Sequence, residues 1–303
     1  MMTRITNYRI SLILILLGCA TWISAQSKSK VIAKGANLVQ VASDCKFTEG
    51  PAADRMGNVY FTDQPNDRIL KWSVEDGSVS VFMEGTGRSN GLYFDSDGSI
   101  LACADERNQL WKISLDKVVT VLLDNFENKR FNGPNDLWVD PQGGIYFTDP
   151  FYKRPYWSHE EPELERKDVY YLGPAREKVR VVASDLVQPN GIIGTPDGRS
   201  LYVADIGDSK TYRYQIAANG DLTGRVLFVE MGSDGMTLDR KGNLYLTGDG
   251  VTVFNRKGKQ IEHIPIEERW TANVCFGGED MKTLFVTAMG SAYTLEMKVN
   301  GIR

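Results

Sequence analysis

Short runs of alternating hydrophobic and polar residues recur along the chain and are separated by turn-forming residues. In one such unit, Leu137–Asp140 is followed by the turn Gln142–Gly144 and by a second run, Ile145–Thr148, which leads into Asp149. Alternation with a period of two is typical of a half-buried β-strand, and a Gly-containing turn between two such runs predicts a hairpin. No convincing amphipathic helix is found, so the pattern predicts an all-β chain.

The hairpin unit occurs six times, and each copy begins on a side chain that carries an oxygen atom. These head residues are Glu49, Asn90, Asn135, Asn190, Asp234 and Asn273. Their spacing of roughly 40 to 55 residues is typical of β-propeller blades. Blades pack radially around a central channel. We therefore expect the six heads to converge where each innermost strand begins beside the axis.

The strand count predicts how the ring closes. The last copy supplies three strands, VCFGG, TLFVTA and AYTLEMKV, and the run NLVQVAS near Val39 is available as the fourth. Pairing of the two termini would leave no free sheet edge. We therefore predict a six-bladed β-propeller with four antiparallel strands per blade, closed by the N-terminal strand. Residues 26–303 would form this single domain.

Residues 1–25 have the features of a secretory signal peptide. A basic start precedes the apolar run Ile10–Gly18, which is too short for a stable membrane anchor, and small residues precede Gln26. We expect cleavage before Gln26 and export to the periplasm or the medium. Leu16–Cys19 also resembles a lipoprotein signal, and in that alternative a lipidated Cys19 anchors the protein to a membrane.

Composition and charge exclude several function classes. The formal net charge is −4 and no basic run is present, which argues against nucleic acid and anionic membrane surfaces as partners. After cleavage, Cys45, Cys103 and Cys275 remain, and an odd number of cysteines argues against a disulfide framework. We expect all three to be small buried residues in strands. No Cys/His cluster supports a zinc site, and we expect a monomer.

Four of the heads have the chemistry of a site for a hard cation. Glu49 and Asp234 supply carboxylates, and Asn135 and Asn190 supply amide oxygens. Converging on one axis, they would form an all-oxygen cage of net charge −2, which suits Ca²⁺. Zn²⁺, Mg²⁺ and Mn²⁺ are the alternatives. One such residue alone would more simply cap a turn, but six heads in register favour a site.

Other polar residues near the heads are candidates for catalysis and for substrate binding. Asp136, next to Asn135, is a candidate acid or base, as is Asp234 itself. Arg130, Asn132 and Asn90 are candidates for holding a polar substrate. The simpler alternatives are that Asp136 bonds turn amides and that Arg130 is solvated. Only two histidines are present and G-x-S-x-G is absent, so a serine nucleophile with a histidine base is not supported.

Two further features follow the second strand of the hairpin units. The acids that end these strands are expected to accept hydrogen bonds from turn amides in each blade. They are Asp63, Asp105, Asp149, Asp205 and Asp249. The segment Phe151–Lys167 is a long loop rich in Pro, aromatic and charged residues, and loops of this length are often functional. We expect it on the ring surface, either at the channel mouth or as an ordinary insertion.

Several motifs together resemble the gluconolactonase / senescence-marker-protein (regucalcin) family. They are E-G-P at Glu49, R-F-N-G-P-N-D at Arg130–Asp136, the T-D-P that follows, P-N-G at Pro189–Gly191 and S-D-G at Ser233–Gly235. The resemblance runs from about Glu49 to Lys298. It implies a six-bladed propeller with Ca²⁺ or another divalent ion in the channel. The ligands that it implies are Glu49, Asn135, Asn190 and Asp234.

The resemblance implies metal-dependent hydrolysis of a sugar lactone, a small-molecule substrate. One alternative keeps the site and changes the substrate to another lactone or an organophosphate ester. Another alternative is a non-catalytic sugar- or protein-binding propeller with structural Ca²⁺. In that case Tyr152, Tyr156 and Trp157 of the loop Phe151–Lys167 would stack on sugar rings. The long loop departs from the shorter family members, which leaves the natural substrate open.

Overall fold

The structure is a computed structural model that describes residues 29–302. The expected signal peptide, residues 1–25, and Cys19 lie outside the described residues, so export and lipidation stay predictions. The described residues form six four-stranded antiparallel sheets. The predicted all-β propeller is confirmed.

The strands follow the chain blade by blade, after β1 (Val39–Ala42). The first blade contains β2 (Thr48–Ala53), β3 (Val59–Asp63), β4 (Arg68–Trp72) and β5 (Val79–Glu84). The second contains β6 (Ser89–Phe94), β7 (Ile100–Ala104), β8 (Gln109–Ile113) and β9 (Val119–Leu123). The third contains β10 (Leu137–Val139), β11 (Ile145–Thr148), β12 (Val169–Leu172) and β13 (Val179–Ala183).

The second half of the ring repeats this plan. The fourth blade contains β14 (Pro189–Gly194), β15 (Ser200–Asp205), β16 (Lys210–Ile216) and β17 (Leu222–Val229). The fifth contains β18 (Met236–Leu238), β19 (Leu244–Gly248), β20 (Gly250–Phe254) and β21 (Gln260–Ile264). The sixth contains β22 (Thr271–Gly277), β23 (Thr283–Ala288) and β24 (Ser291–Glu296), together with β1. Short 3-10 turns span Gln64–Asn66 and Asp105–Arg107.

The ring closes through the N-terminal strand, as predicted. β1 pairs antiparallel with β24, with Val39 opposite Thr294 and Gln40 opposite Tyr293. The amide of Lys298 also donates to the carbonyl of Val31 at 2.7 Å. Strands from the two ends of the described chain therefore share one sheet, and β1 completes the sixth blade by pairing with the edge of β24.

Large side chains fill the space between neighbouring blades. Trp138 and Tyr146 of the third blade pack in one buried cluster with Tyr202 of the fourth. The Tyr146 hydroxyl donates to the carbonyl of Gly220 in the fourth blade at 2.8 Å. The outermost strands β5 and β9 contain only partly buried and exposed positions. Close packing of this kind resists small displacements, so it holds the innermost strands at defined positions around the axis.

The predicted hairpin turn is present after β10. Asp140 Oδ1 accepts hydrogen bonds from the amides of Gln142 and Gly144, both at 2.8 Å. Gly143 has a φ of +93°, a conformation that glycine adopts at little cost. The Asp at the end of one strand and the Gly three residues later therefore define the turn and the register of the two inner strands.

The cysteine prediction is correct for two of three positions. Cys103 is buried in β7, and Cys275 lies partly buried in β22. Cys45 is partly buried but lies between β1 and β2, so its assignment to a strand was wrong. All three are free thiols.

Within residues 29–302, no helix has the length and apolar character needed to cross a membrane.

Candidate active site

The six head residues lie at the start of the innermost strands, on one side of the ring. Glu49, Asn90, Asn190 and Asn273 lie within the first residues of their strands, and Asn135 and Asp234 lie just before β10 and β18. All are buried except Asp234, which is partly exposed. Contacts between consecutive heads run around the axis, so the repeats bring these side chains together.

The innermost strands approach one another closely, and glycine makes this approach feasible. A Cβ at Gly50 would lie 2.2 Å from the carbonyl oxygen of Asn90, and one at Gly191 would lie 2.5 Å from that of Asp234. Real Cβ contacts are never so short, so a side chain at either position would push the neighbouring strand away. Gly50 and Gly191, which follow the heads Glu49 and Asn190, therefore allow the narrow spacing of the innermost strands around the channel.

A threonine on the second strand of several blades also holds the next head, and the sequence analysis missed it. Thr148 Oγ1 donates to the carbonyl of Asn190 at 2.8 Å, and Thr62 Oγ1 donates to that of Asn90 at 3.2 Å. Thr247 Oγ1 makes the corresponding bond to Ala272, next to Asn273. The signal was the Thr that precedes the final residue of F-T-D and L-T-G.

Side-chain hydrogen bonds connect the proposed metal ligands. Asn190 Nδ2 donates to Asp234 Oδ1 at 2.8 Å. Glu49 Oε2 accepts from its neighbour Gly50 N at 2.8 Å and from Asn273 Nδ2 at 3.2 Å. These bonds leave Glu49 Oε1 and Asn190 Oδ1 without a hydrogen bond to the described residues. One carboxylate oxygen and one amide oxygen are thus available to a ligand at the channel.

The charges of three carboxyl groups near the axis affect one another's pKa values. Burial raises the pKa of Glu49 well above its ordinary value, and the charges of Asp234 and Asp136 raise it further. Burial also raises the pKa of Asp136 to about 7 and that of Asp234 to about 6. Like charges in one buried site favour the neutral forms. A cation bound among these groups would instead favour the ionised forms.

The donor set fits a hard cation. Among residues 29–302, no three or more His, Cys, Asp and Glu side chains form a group that could hold a metal ion. A metal site here must therefore include amide oxygens. Asn135 is only 4% exposed, yet its side-chain amide makes no hydrogen bond to the described part of the chain. The Asn135 side-chain oxygen is therefore available to a cation, and amide oxygens are suitable ligands for Ca²⁺.

Asp136 and Asn273 also line a cavity formed mainly by residues of the innermost strands. This cavity has a volume of about 270 Å³, and its walls include Leu92, Ile192 and Met236. Asp136 Oδ1 accepts the amide of Leu137 at 2.9 Å. Asp136 is therefore held by the backbone beside the cavity, whereas the partly exposed Asp234 lies at the channel mouth.

Two predicted substrate-binding residues lie away from the ring of heads. Arg130 forms a surface ion pair with Glu163, at 2.9 Å. Asn132 is buried, and its Nδ2 donates to the carbonyls of Asp149 and Arg166 at 3.3 and 2.9 Å. The contacts of both side chains are with the long loop and the end of the second strand. Asn90 does lie in the ring, and its side chain makes no hydrogen bond to residues 29–302.

The strand-ending acids accept hydrogen bonds from turn amides in three blades, as predicted. Asp63 accepts from the amides of Lys46 and Phe47, Asp149 from those of Asn132 and Gly133, and Asp205 from those of Val187 and Gln188. Each pair of amides precedes the head of the same blade, so these acids position the heads. Asp249 is exposed and Asp105 has a different role.

Asp105 anchors the long loop after Asp149. Its Oδ2 accepts from Arg154 Nε at 2.7 Å and from the Tyr156 hydroxyl at 2.9 Å. Its carbonyl accepts from Trp157 Nε1 at 2.9 Å. Trp157 is buried by this contact. The suggestion that Trp157 stacks on a sugar is therefore wrong, because its ring packs inside the loop.

The anchored loop reaches the site through Tyr152, and a second aromatic residue reaches it from the sixth blade. The Tyr152 hydroxyl accepts a hydrogen bond from Asn190 Nδ2 at 2.9 Å. Trp270 Nε1 donates to Asp234 Oδ2 at 2.6 Å. The positive charge of Arg154 lowers the pKa of Asp234, against the larger effect of burial. The expectation that the loop lies at the channel mouth is confirmed. The contact made by Trp270 was not predicted.

The fold and the site together define a six-bladed propeller with an oxygen-lined site on its axis. The family model for the "SMP-30/Gluconolactonase/LRE-like region" matches residues 47–290. The chain therefore belongs to this family, as its motifs indicated. The match includes all six heads and the long loop.

Individual relatives agree with this assignment. The chain is 29% identical over 294 residues to "Gluconolactonase" of Zymomonas mobilis, covering 86% of this chain and 81% of the relative. A solved gluconolactonase structure from Xanthomonas campestris has a TM-score of 0.82 and 29% identity, covering 88% of this chain and 91% of the other. Regucalcin of Agrobacterium tumefaciens, titled a calcium-binding protein, has a TM-score of 0.74. At 21% identity, with 87% and 95% of the two chains covered, that likeness shows the fold alone.

Proposed function

We propose that this chain is a divalent-metal-dependent lactone hydrolase that opens sugar lactones. The main supporting observation is that Glu49, Asn135, Asn190 and Asp234 all lie at or just before the start of an innermost strand, where Asn190 Nδ2 bonds to Asp234 Oδ1. The family and the relatives named gluconolactonase support the reaction class. We propose Ca²⁺ as the ion, because carboxylate and amide oxygens suit a hard cation.

A bound ion would supply a Lewis acid that polarises the lactone carbonyl. Asp234 is the acid best placed to move protons, because it lies partly exposed at the mouth. Its carboxylate accepts a proton from the water that attacks the carbonyl carbon. As the bond between that carbon and the ring oxygen breaks, the same proton passes to the ring oxygen, so the product is a hydroxy acid. Asp136, held by the amide of Leu137, is the alternative acid.

The direct test is lactone turnover by the purified mature protein. Glucono-1,5-lactone is supplied after chelation and again with Ca²⁺, Mg²⁺, Mn²⁺ or Zn²⁺, with metal-only blanks because this lactone also hydrolyses unaided. Turnover that is lost on chelation and restored by a divalent ion would support the proposal and identify the ion. A panel with non-sugar lactones and a phosphotriester would reveal a different substrate class. No turnover of any lactone with any ion would contradict the proposal.

The Asn135 amide should contribute directly to metal affinity. We expect Asn135→Ala to weaken Ca²⁺ binding by at least about tenfold, the scale seen when groups at metal sites are removed. Asn90→Ala is the matched control, because Asn90 is the equivalent head of the preceding blade and is equally buried, at 4% exposed. Both variants are freed of metal with a chelator, and calorimetric titration with Ca²⁺ then measures the affinity of each. Equal losses in the two variants would contradict the ligand assignment.

We also propose that the protein is exported and released as a monomer after removal of residues 1–25. The sequence of the leader supports this. Mass spectrometry of the protein recovered from a bacterial host should give the mass of a chain whose first residue is Gln26. A lipid-modified mass that begins at Cys19, together with partition into detergent, would favour the lipoprotein alternative.

A further inference from the structure

The long loop fixes one tyrosine beside a proposed metal ligand. Arg154, Tyr156 and Trp157 attach the loop to Asp105 through three hydrogen bonds. The Arg154 guanidinium also lies over the Tyr152 ring, 5.3 Å from its centroid. Cation–π contacts of this kind favour one ring position. Tyr152 is therefore held at the channel mouth from two sides, by its own loop and by Asn190.

The hydrogen-bonding capacity of Asn190 determines the direction of the Tyr152 proton. Asn190 Nδ2 donates to Asp234 Oδ1 at 2.8 Å, so the amide nitrogen is the atom of Asn190 that faces Asp234. The same nitrogen lies 2.9 Å from the Tyr152 oxygen. An amide nitrogen accepts no hydrogen bond, so the Tyr152 oxygen is the acceptor in this contact. The hydroxyl proton of Tyr152 must then point elsewhere.

The Gln188 side chain also interacts with this hydroxyl and lowers the pKa of Tyr152, as Asn190 does, so the Tyr152 oxygen is the acceptor in both contacts. The hydrogen bonds within residues 29–302 include none that this hydroxyl donates. Tyr152 is only partly buried and faces the channel mouth beside Asn190 and Asp234. On the other side of the site, Trp270 donates its indole N–H to Asp234 Oδ2, so this N–H is already used. The Tyr152 hydroxyl is thus a hydrogen-bond donor that the protein does not use, and it lies beside Asn190 and Asp234.

We propose that Tyr152 is a substrate-binding residue whose hydroxyl donates a hydrogen bond to the ring oxygen of the lactone. The inference rests on the proposed lactonase function and adds a contact on the leaving group. Negative charge develops on the ring oxygen as it departs, so the hydrogen bond strengthens toward the transition state. The substrate class that this contact favours is a cyclic ester whose ring oxygen is accessible from the channel mouth.

The test compares Tyr152→Phe with Tyr156→Phe. Both variants remove one hydroxyl from the same loop, but the Tyr156 hydroxyl bonds to Asp105 and not to a head. Steady-state kinetics with glucono-1,5-lactone are measured at saturating divalent ion, and ion affinity is measured by calorimetry. For Tyr152→Phe we expect kcat to fall about 10- to 100-fold, with KM and ion affinity changed less than about threefold. For Tyr156→Phe we expect kcat within about threefold of the parent, because Arg154 and Trp157 still attach the loop to Asp105.

The outcomes separate this inference from the proposed function. An active parent and a Tyr152→Phe variant with the same kcat would overturn the role of Tyr152 alone. A loss that excess ion restores, or an equal loss in Tyr156→Phe, would overturn it in favour of a structural role. If the parent opens no lactone, the lactonase proposal fails, and the role of Tyr152 in lactone opening fails with it.

Discussion

Replacing Asp234 with Asn is expected to lower lactone turnover roughly 10³-fold, the range seen when an acid or base group is removed. The variant should also bind divalent ions more weakly, because it loses one of the two negative charges among the proposed ligands. Asn is nearly the same size as Asp, so the backbone contacts of Gly191 and the fold should persist. The new amide nitrogen would, however, face either Trp270 Nε1 or Asn190 Nδ2, both of which are donors.

The measurement must separate lost binding from lost chemistry. Turnover of Asp234→Asn is followed at increasing ion concentration, after calorimetry has determined the affinity of the variant. A deficit that persists at saturation belongs to the proton transfer. Asp249→Asn is the control, because Asp249 is also an acid of the fifth blade but is exposed at the end of β19; we expect its kcat to be unchanged. An active Asp234→Asn enzyme would refute the assigned role.

The sequence predicted the ring and its heads because both depend on periodicity. Period-two alternation specifies which residues face the next blade, and a repeat of constant length places equivalent residues at equivalent radii. Glu49 and Asn190 could therefore be assigned to one site without any distance. The strand near Val39 could likewise be assigned to the last blade, because the final repeat lacked one strand.

The loop contacts could not be predicted in this way because a loop has no register. Nothing in the segment Phe151–Lys167 indicates that Tyr152 reaches Asn190 while Trp157 turns inward to Asp105. The same difficulty applies to Arg130 and Asn132, which are close in sequence to Asn135 but precede the strand that carries the periodicity. Position in the repeat therefore predicted the location of a side chain better than proximity in sequence to Asn135.

Asp105 illustrates how one repeat position can change its role. The equivalent acids Asp63, Asp149 and Asp205 accept backbone amides that precede a head of their own blade. Asp105 instead accepts side chains from the loop that follows Asp149, including Arg154. Burial raises the pKa of Asp105, and Arg154 opposes that effect. The insertion in the third blade is therefore attached to the second, which places it across the channel mouth.

Replacing Gly50 with Ala is expected to destabilise the fold by about 3 kcal/mol or more, the largest stability loss among the glycine variants compared. Two costs combine at this position. Gly50 has a φ of +44°, which L-residues rarely adopt, and its Cβ would lie 2.2 Å from the backbone oxygen of Asn90. A backbone atom cannot move aside as a flexible side chain does, so strands β2 and β6 would have to separate. The head residues that they carry would move with them.

Three further Ala substitutions resolve the two costs. Gly98 has a φ of +86° and open space around its Cβ position, so Gly98→Ala tests conformation alone, at about 1 kcal/mol. Gly191 has the contact without the positive φ, with Asp234 O at 2.5 Å, so Gly191→Ala tests the approach alone. Gly173 has neither, and Gly173→Ala should change the free energy of unfolding by less than about 0.5 kcal/mol. Urea unfolding of the four variants measures these differences.

Because the contact in Gly191→Ala would displace Asp234, this variant should also weaken ion binding, whereas Gly98→Ala should not. If Gly50→Ala and Gly98→Ala lose the same free energy of unfolding, the innermost strands can accommodate a Cβ at Gly50, and glycine does not determine the channel width.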